Sequence, residues 1–232
     1  MSASGTALSN PASANCTQSG GLTPSLPADV GYVRVNSISG AGAAAVAYAQ
    51  AMHTAIRERD RDGLAGWIVD LRLNGGGNMF PMLAGIGPIL GEGTAGYFFD
   101  YERGFFLEFG YRYGAALAGA TAVTEVVPPY ELLRPAPRVA VITSRRTASS
   151  GEAIAVAFRG RPNTRFFGSP TCGVPTSNQG FRLSDGGVLL LTTALDADRM
   201  RRIYNEPLVP DEITSDEESA PRAVAWIYSG RP

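Results

Sequence analysis

Thr147-Ala148-Ser149-Ser150-Gly151-Glu152 brings together residue types that could do chemistry. It follows an apolar run, Val139-Ala140-Val141-Ile142-Thr143, that reads as a strand, and it opens a predicted helix over residues 152–159. A serine at such a junction faces the positive end of the helix dipole, where an alkoxide or oxyanion is favoured. A nucleophile and half of an oxyanion hole can be built there together. The same spacing has a second meaning. Ser149-x-x-Glu152 also fits a capping box, in which the serine only closes the first helical turn. A second turn, Asn74-Gly75-Gly76-Gly77, ends the continuous apolar run at 66–71, as in a strand buried on both faces. Three glycines let the backbone approach a ligand and aim N–H groups at it, or merely make a tight turn. The lysine-containing pattern of a phosphate loop is missing.

The elements around these turns set the expected fold. Residues 31–36 alternate like a strand, and residues 41–60 carry Val46, Ala49, Met52 and Ile56 on one helical stripe. Residues 79–90 read as helical despite Gly85, Gly87 and Pro88. Aromatic, alternating segments over 95–113 predict a hairpin around Glu102-Arg103-Gly104. Residues 114–137, small and proline-rich, predict a loop or crossing segment. Strands follow at 164–168 and 187–194, and a last helix at 215–229. Strands alternating with helices predict an α/β layered domain with a mostly parallel sheet, whose ligands would sit outside the carboxyl ends of the strands.

Composition narrows the chemistry. The 232 residues suit one sizeable domain or two small ones, and the net charge of −1 suggests neither nucleic acid nor an acidic membrane surface as partner. All 20 basic residues are arginine, so a lysine base or Schiff base is excluded. His53 is the single histidine. Cys16 and Cys172 make neither a metal-ligand spacing nor a disulfide framework, and their pairing stays open. Residues 1–28 read as a flexible amino-terminal arm without a secretory signal. No apolar run is long enough to span a bilayer. Localisation stays open.

The ordered segments Gly31-Tyr32-Val33-Arg34-Val35, Val69-Asp70-Leu71-Arg72-Leu73-Asn74-Gly75-Gly76-Gly77, Thr147 to Glu152, Gly168-Ser169-Pro170-Thr171-Cys172-Gly173, Leu183-Ser184-Asp185-Gly186 and Val209-Pro210-Asp211 carry a resemblance. Together they resemble the tail-specific, or carboxy-terminal processing, serine peptidases. The resemblance implies a ClpP/crotonase-like catalytic core over 29–232, acting on a peptide or protein substrate with no metal and no organic cofactor. It places the nucleophile on Ser149 and the oxyanion donors on the backbone N–H groups of Ser150 and Gly76. Asp70 and Arg72 read as a structural pair, Glu152 as a cap and Cys172 as a small buried filler near the serine.

The base is where the pattern breaks. The best-known members carry a lysine in a Gly-x-x-Thr-x-Gly-Lys turn, and here Val174 stands in that slot. A branch like the tricorn core uses a histidine beside a small hydroxyl residue, amino-terminal to the core, and no such pair precedes the first strand here. His53-Thr54 lies mid-helix on the apolar stripe and reads as a packing histidine. Three readings follow. The chain is a peptidase core whose histidine comes from an amino-terminal segment or partner subunit, or it is a base-less peptide-binding homologue. The third reading is a repurposed small-molecule acyl or amide hydrolase, or a cyclase, served by Asp198, Tyr204 and Glu206.

Overall fold

A computed structural model describes residue 16 and residues 23–230, so most of the predicted arm lies outside the described residues. The chain runs β1 (Val30–Arg34), α1 (Ala43–Arg57), β2 (Gly66–Asp70), α2 (Met79–Leu90), β3 (Gly93–Asp100), β4 (Phe105–Arg112), β5 (Ala115–Ala118) and β6 (Thr121–Glu125). It continues through β7 (Val139–Thr143), α3 (Ser150–Phe158), β8 (Thr164–Gly168), β9 (Thr176–Arg182), β10 (Val188–Asp198), β11 (Ile203–Tyr204), β12 (Glu212–Ile213) and α4 (Asp216–Tyr228).

Two sheets result. The first has the order β1-β2-β7-β8-β12, and every pairing in it is parallel. Its central strands β2 and β7 are buried on both faces, which is why they read as unbroken apolar runs. Ile68, Ile142 and Phe167 pack under Ala223 and Ile227 of α4. Trp67, Val69 and Val141 point the other way, into a core shared with Leu83 and Ile86 of α2 and Ile154 and Phe158 of α3. Nearly every side of α2 is buried, as expected of a helix enclosed between layers.

The second sheet, of order β11-β10-β3-β4-β5-β6 with β9 on β10, is antiparallel throughout. This corrects the expectation of a mostly parallel sheet. The cause is local: β3 to β6 are joined by turns too short for a crossover, so neighbours must run in opposite directions. Tyr113 and Gly114 both have positive φ, as a two-residue hairpin turn requires. Part of the stretch expected as a loop over 114–137 is thus the β5–β6 hairpin.

The buried charge below the parallel sheet is paired. Asp70 accepts from Arg72 Nε at 3.0 Å, Arg72 Nη2 at 2.9 Å and the Tyr32 hydroxyl at 2.7 Å. Burial pushes the Asp70 carboxyl up, but these donors outweigh it and hold the group below its ordinary value. The outer half of the β9–β10 ribbon is exposed on both faces, with Phe181, Leu189 and Leu190 among its apolar side chains.

Candidate active site

Strands β2 and β7 are parallel neighbours, so the turns leaving their carboxyl ends lie side by side. Four bonds stitch them together. Thr147 Oγ1 donates to Leu71 O (2.9 Å), Ser144 Oγ to Arg72 O (2.7 Å), Ala148 N–H to Asn74 O (3.0 Å) and Ser150 Oγ to Gly77 O (2.6 Å). The glycine turn and the serine turn are therefore one unit. Gly76 has φ +104°, and a Cβ there would stand 2.9 Å from Ser149 Cβ. Only glycine allows this approach.

Ser149 occupies the N-cap position of α3 with φ 51° and ψ −120°. Its N–H donates to Glu152 Oε2 at 2.9 Å, the glutamate half of a capping box. An ordinary capping serine has extended backbone, as Ser215 does at α4 with φ −67° and ψ 164°. The backbone of Ser149 is instead one that a side chain resists, as at the strained strand-to-helix elbow of serine hydrolases. Ser149 sits half-buried at a cleft of about 360 Å³ shared with Phe80, Phe98, Leu107, Thr176 and Asp196.

Ser150 is the first residue of α3, where backbone N–H groups have no intrahelical acceptor. The Gly76 N–H donates to Asn74 Oδ1 at 3.0 Å, so it serves an oxyanion only if that bond exchanges. Sequence reasoning saw Asn74 only as a turn residue. Here it binds both turns, through its side chain to Gly76 and its carbonyl to Ala148.

Glu152 is fully buried and accepts four bonds, from Thr171 Oγ1, Gly173 N–H, Val174 N–H and Ser149 N–H. Burial raises its carboxyl, and the four donors hold the rise back. One carboxylate thus ties the helix start to the 171–174 turn, which brings Val174 beside the serine. Cys172 in that turn forms a disulfide with Cys16 and gives its N–H to Thr147 O at 2.9 Å. The pairing left open by the sequence is thus made, and Cys172 is a covalent anchor where a small buried filler was expected.

The other titratable candidates are placed elsewhere. Tyr130 N–H donates to His53 Nδ1 at 3.3 Å, so Nε2 carries the proton and donates to Ala84 O at 3.0 Å. Both ring nitrogens are used between α1 and its neighbours, and burial holds the imidazole below its ordinary pKa. Asp198, Tyr204 and Glu206 line a separate hollow of about 500 Å³ with Arg159, at the far end of α3. Nine residues of helix put that hollow about 13 Å from the serine turn. Asp198 is itself satisfied by Met200 N–H, Arg202 N–H and the Tyr204 hydroxyl.

Asp196 was not foreseen. It lies on β10 with 1% exposure, and neither carboxyl oxygen has a hydrogen-bond partner among the described residues. Burial, helped by the nearby Glu152 charge, pushes its pKa up to about 8. The sequence offers no signal for it: the alternation of Asp196 and Asp198 with Leu195 and Ala197 reads as an acidic solvent face, whereas Asp196, Ala197 and Asp198 are all buried here. Among the described residues no group of three His, Cys, Asp or Glu is placed to hold a metal ion. No helix among them is long and apolar enough to cross a membrane.

A strained serine at a helix start, fused to a glycine turn beside a cleft, is an arrangement that acyl transfer can use. The family model of Peptidase family S41 matches residues 29–214, and the chain belongs to that family of serine peptidases. It is 33% identical over 183 residues to the nisin-resistance protein of Lactococcus lactis subsp. lactis, covering 78% of this chain and 55% of that protein. The chain thus spans about half the length of this curated relative. A solved lipoprotein of Streptococcus agalactiae aligns with TM-score 0.71 and 29% identity, over 89% of this chain and 68% of that one. The photosystem II D1 C-terminal processing protease shares the fold at TM-score 0.55 and 22% identity, over 84% of this chain and 45% of that one.

Proposed function

We propose that residues 29–232 are the catalytic core of a tail-specific-type peptidase in which Ser149 forms an acyl-enzyme with a peptide substrate. The observation that carries this reading is the backbone of Ser149, which a helix cap does not need and which points to a held nucleophile. In the first step the Ser149 Oγ–C bond forms while a base takes the hydroxyl proton, and the peptide C–N bond breaks as that proton passes to the leaving amine. The oxyanion formed in between falls to the Ser150 N–H and, after exchange from Asn74, to the Gly76 N–H. Water then attacks the ester and regenerates the serine.

The base is a histidine of an amino-terminal segment or partner subunit. What supports this is that His53 spends both nitrogens on packing and Val174 has no proton chemistry. The name of the Lactococcus relative makes nisin one substrate to assay. Fluorophosphonate labelling of the purified chain, mapped by mass, tests the nucleophile, with Ser149→Ala as control. Labelling at Ser149 is expected once a histidine-bearing partner is supplied. A folded chain that stays unlabelled with every such partner is the outcome that favours a peptide-binding role, the second reading that the occupied His53 and Val174 support.

A further inference from the structure

Asp196 is a buried acid with nothing to bind. Its backbone is fixed on three sides: it pairs with Phe98 of β3 and Tyr204 of β11, and its N–H donates to Pro175 O at 2.9 Å. The side chain cannot swing out to water without breaking the strand. It lines the cleft that holds Ser149. No ion pair among the described residues includes it, although the chain carries 20 arginines. A buried carboxylate left without donors is strongly disfavoured unless it stays neutral or a ligand completes it.

The surroundings indicate which ligand. Phe80, Phe98 and Leu107 supply apolar walls, and the second acid, Glu152, sits close enough to perturb Asp196. Glu152 spends its oxygens on four donors, whereas both oxygens of Asp196 are buried without a donor. An apolar-walled cleft lined by a carboxyl without donors matches a long aliphatic stem with a cationic head, whose charge ionises the carboxyl as it binds. We propose that Asp196 is a specificity determinant of this site, selecting a peptide that places an arginine or lysine side chain beside the scissile bond. The inference rests on the serine peptidase reading for where the bond is cut, but the cation site itself does not need the serine to react.

The test uses the full chain carrying Ser149→Ala and blocked alanine-glycine peptides with one central arginine, each matched to a citrulline twin of the same shape without charge. The repetitive background lets the register slide until the side chain finds the cleft. Fluorescence polarisation is expected to show the arginine peptide binding at least about ten-fold tighter than its twin, a preference that Asp196→Asn abolishes. Asparagine keeps the shape and removes the ionisable carboxyl, so a purely structural role would leave the ratio unchanged. Equal affinities, no binding of either peptide, or a preference that survives Asp196→Asn would each overturn the proposal. Fluorophosphonate labelling of the chain with Ser149 intact separates the two readings. Labelling without arginine preference overturns only the specificity proposal. Arginine preference without labelling, even with a histidine-bearing partner supplied, supports it and counts against the nucleophile.

Discussion

At Ser215 a serine three residues ahead of a glutamate does what a helix cap does, with extended backbone and its Oγ accepting from Glu218 N–H at 3.2 Å. Ser149 has the same spacing to Glu152 but φ 51°. The same spacing therefore occurs at both serines and does not separate them, because the backbone angle is set by the turn packed against Gly76. The angle has a measurable cost. Ser149→Gly is expected to be more stable than Ser149→Ala by about 1 kcal/mol in urea unfolding, since glycine alone adopts positive φ without strain. Equal stabilities would show that the conformation is not held in solution. Asp196 predicts a pH dependence of opposite character. Its pKa rises from the ordinary 3.8 to about 8 on folding, so the protonated side chain favours the fold fully below pH 4 and that contribution fades as pH climbs to 8. Asp196→Asn does not titrate. Its melting temperature should match that of the parent near pH 4, move above it as pH rises and level off beyond pH 8. A constant difference across that range would mean that Asp196 is ionised in the fold.

The elements show why some of the site was readable. β2 and β7 are continuous apolar runs ended by turns, so their parallel burial and the position of both turns followed from pattern alone. The second sheet was obscured because β5 and β6, built on small residues such as Ala115, Ala116 and Thr121, carry little alternation, and their pairing depends on turns at 113–114 and 119–120. Asp196 stayed hidden for the same reason, since its burial comes from β3, β11 and α3 closing around it. Glu152 is the contact that makes an element-level prediction. Its carboxylate joins the start of α3 to the 171–174 turn. Glu152→Gln replaces an acceptor oxygen with an NH₂ facing N–H donors and is expected to lower stability by about 2 kcal/mol. Hydrogen exchange should show the loss first at residues 171–174. Uniform exchange along the chain would refute that local role. The same contact puts position 174 beside the serine, so Val174→Lys should raise fluorophosphonate labelling of Ser149 at alkaline pH by at least about ten-fold. No gain would show that the turn does not present position 174 to Ser149.

At the scale of the whole molecule, one covalent bond changes what a cut does. The Cys16–Cys172 disulfide closes a ring of chain that takes in β1 to β8, the first three helices and the serine turn, and leaves β9 to β12 and α4 outside. Two exposed arginines sit on either side of that division, Arg103 in the β3–β4 turn and Arg182 at the tip of the β9–β10 ribbon. Limited trypsin treatment at Arg103 opens the ring without freeing a piece, so a denaturing gel without reductant shows one band of full mass, and reductant splits it in two. A cut at Arg182 frees the carboxyl-terminal fragment on the same gel with or without reductant. A nick in the exposed β3–β4 turn thus leaves the molecule to travel, and be counted, as one chain.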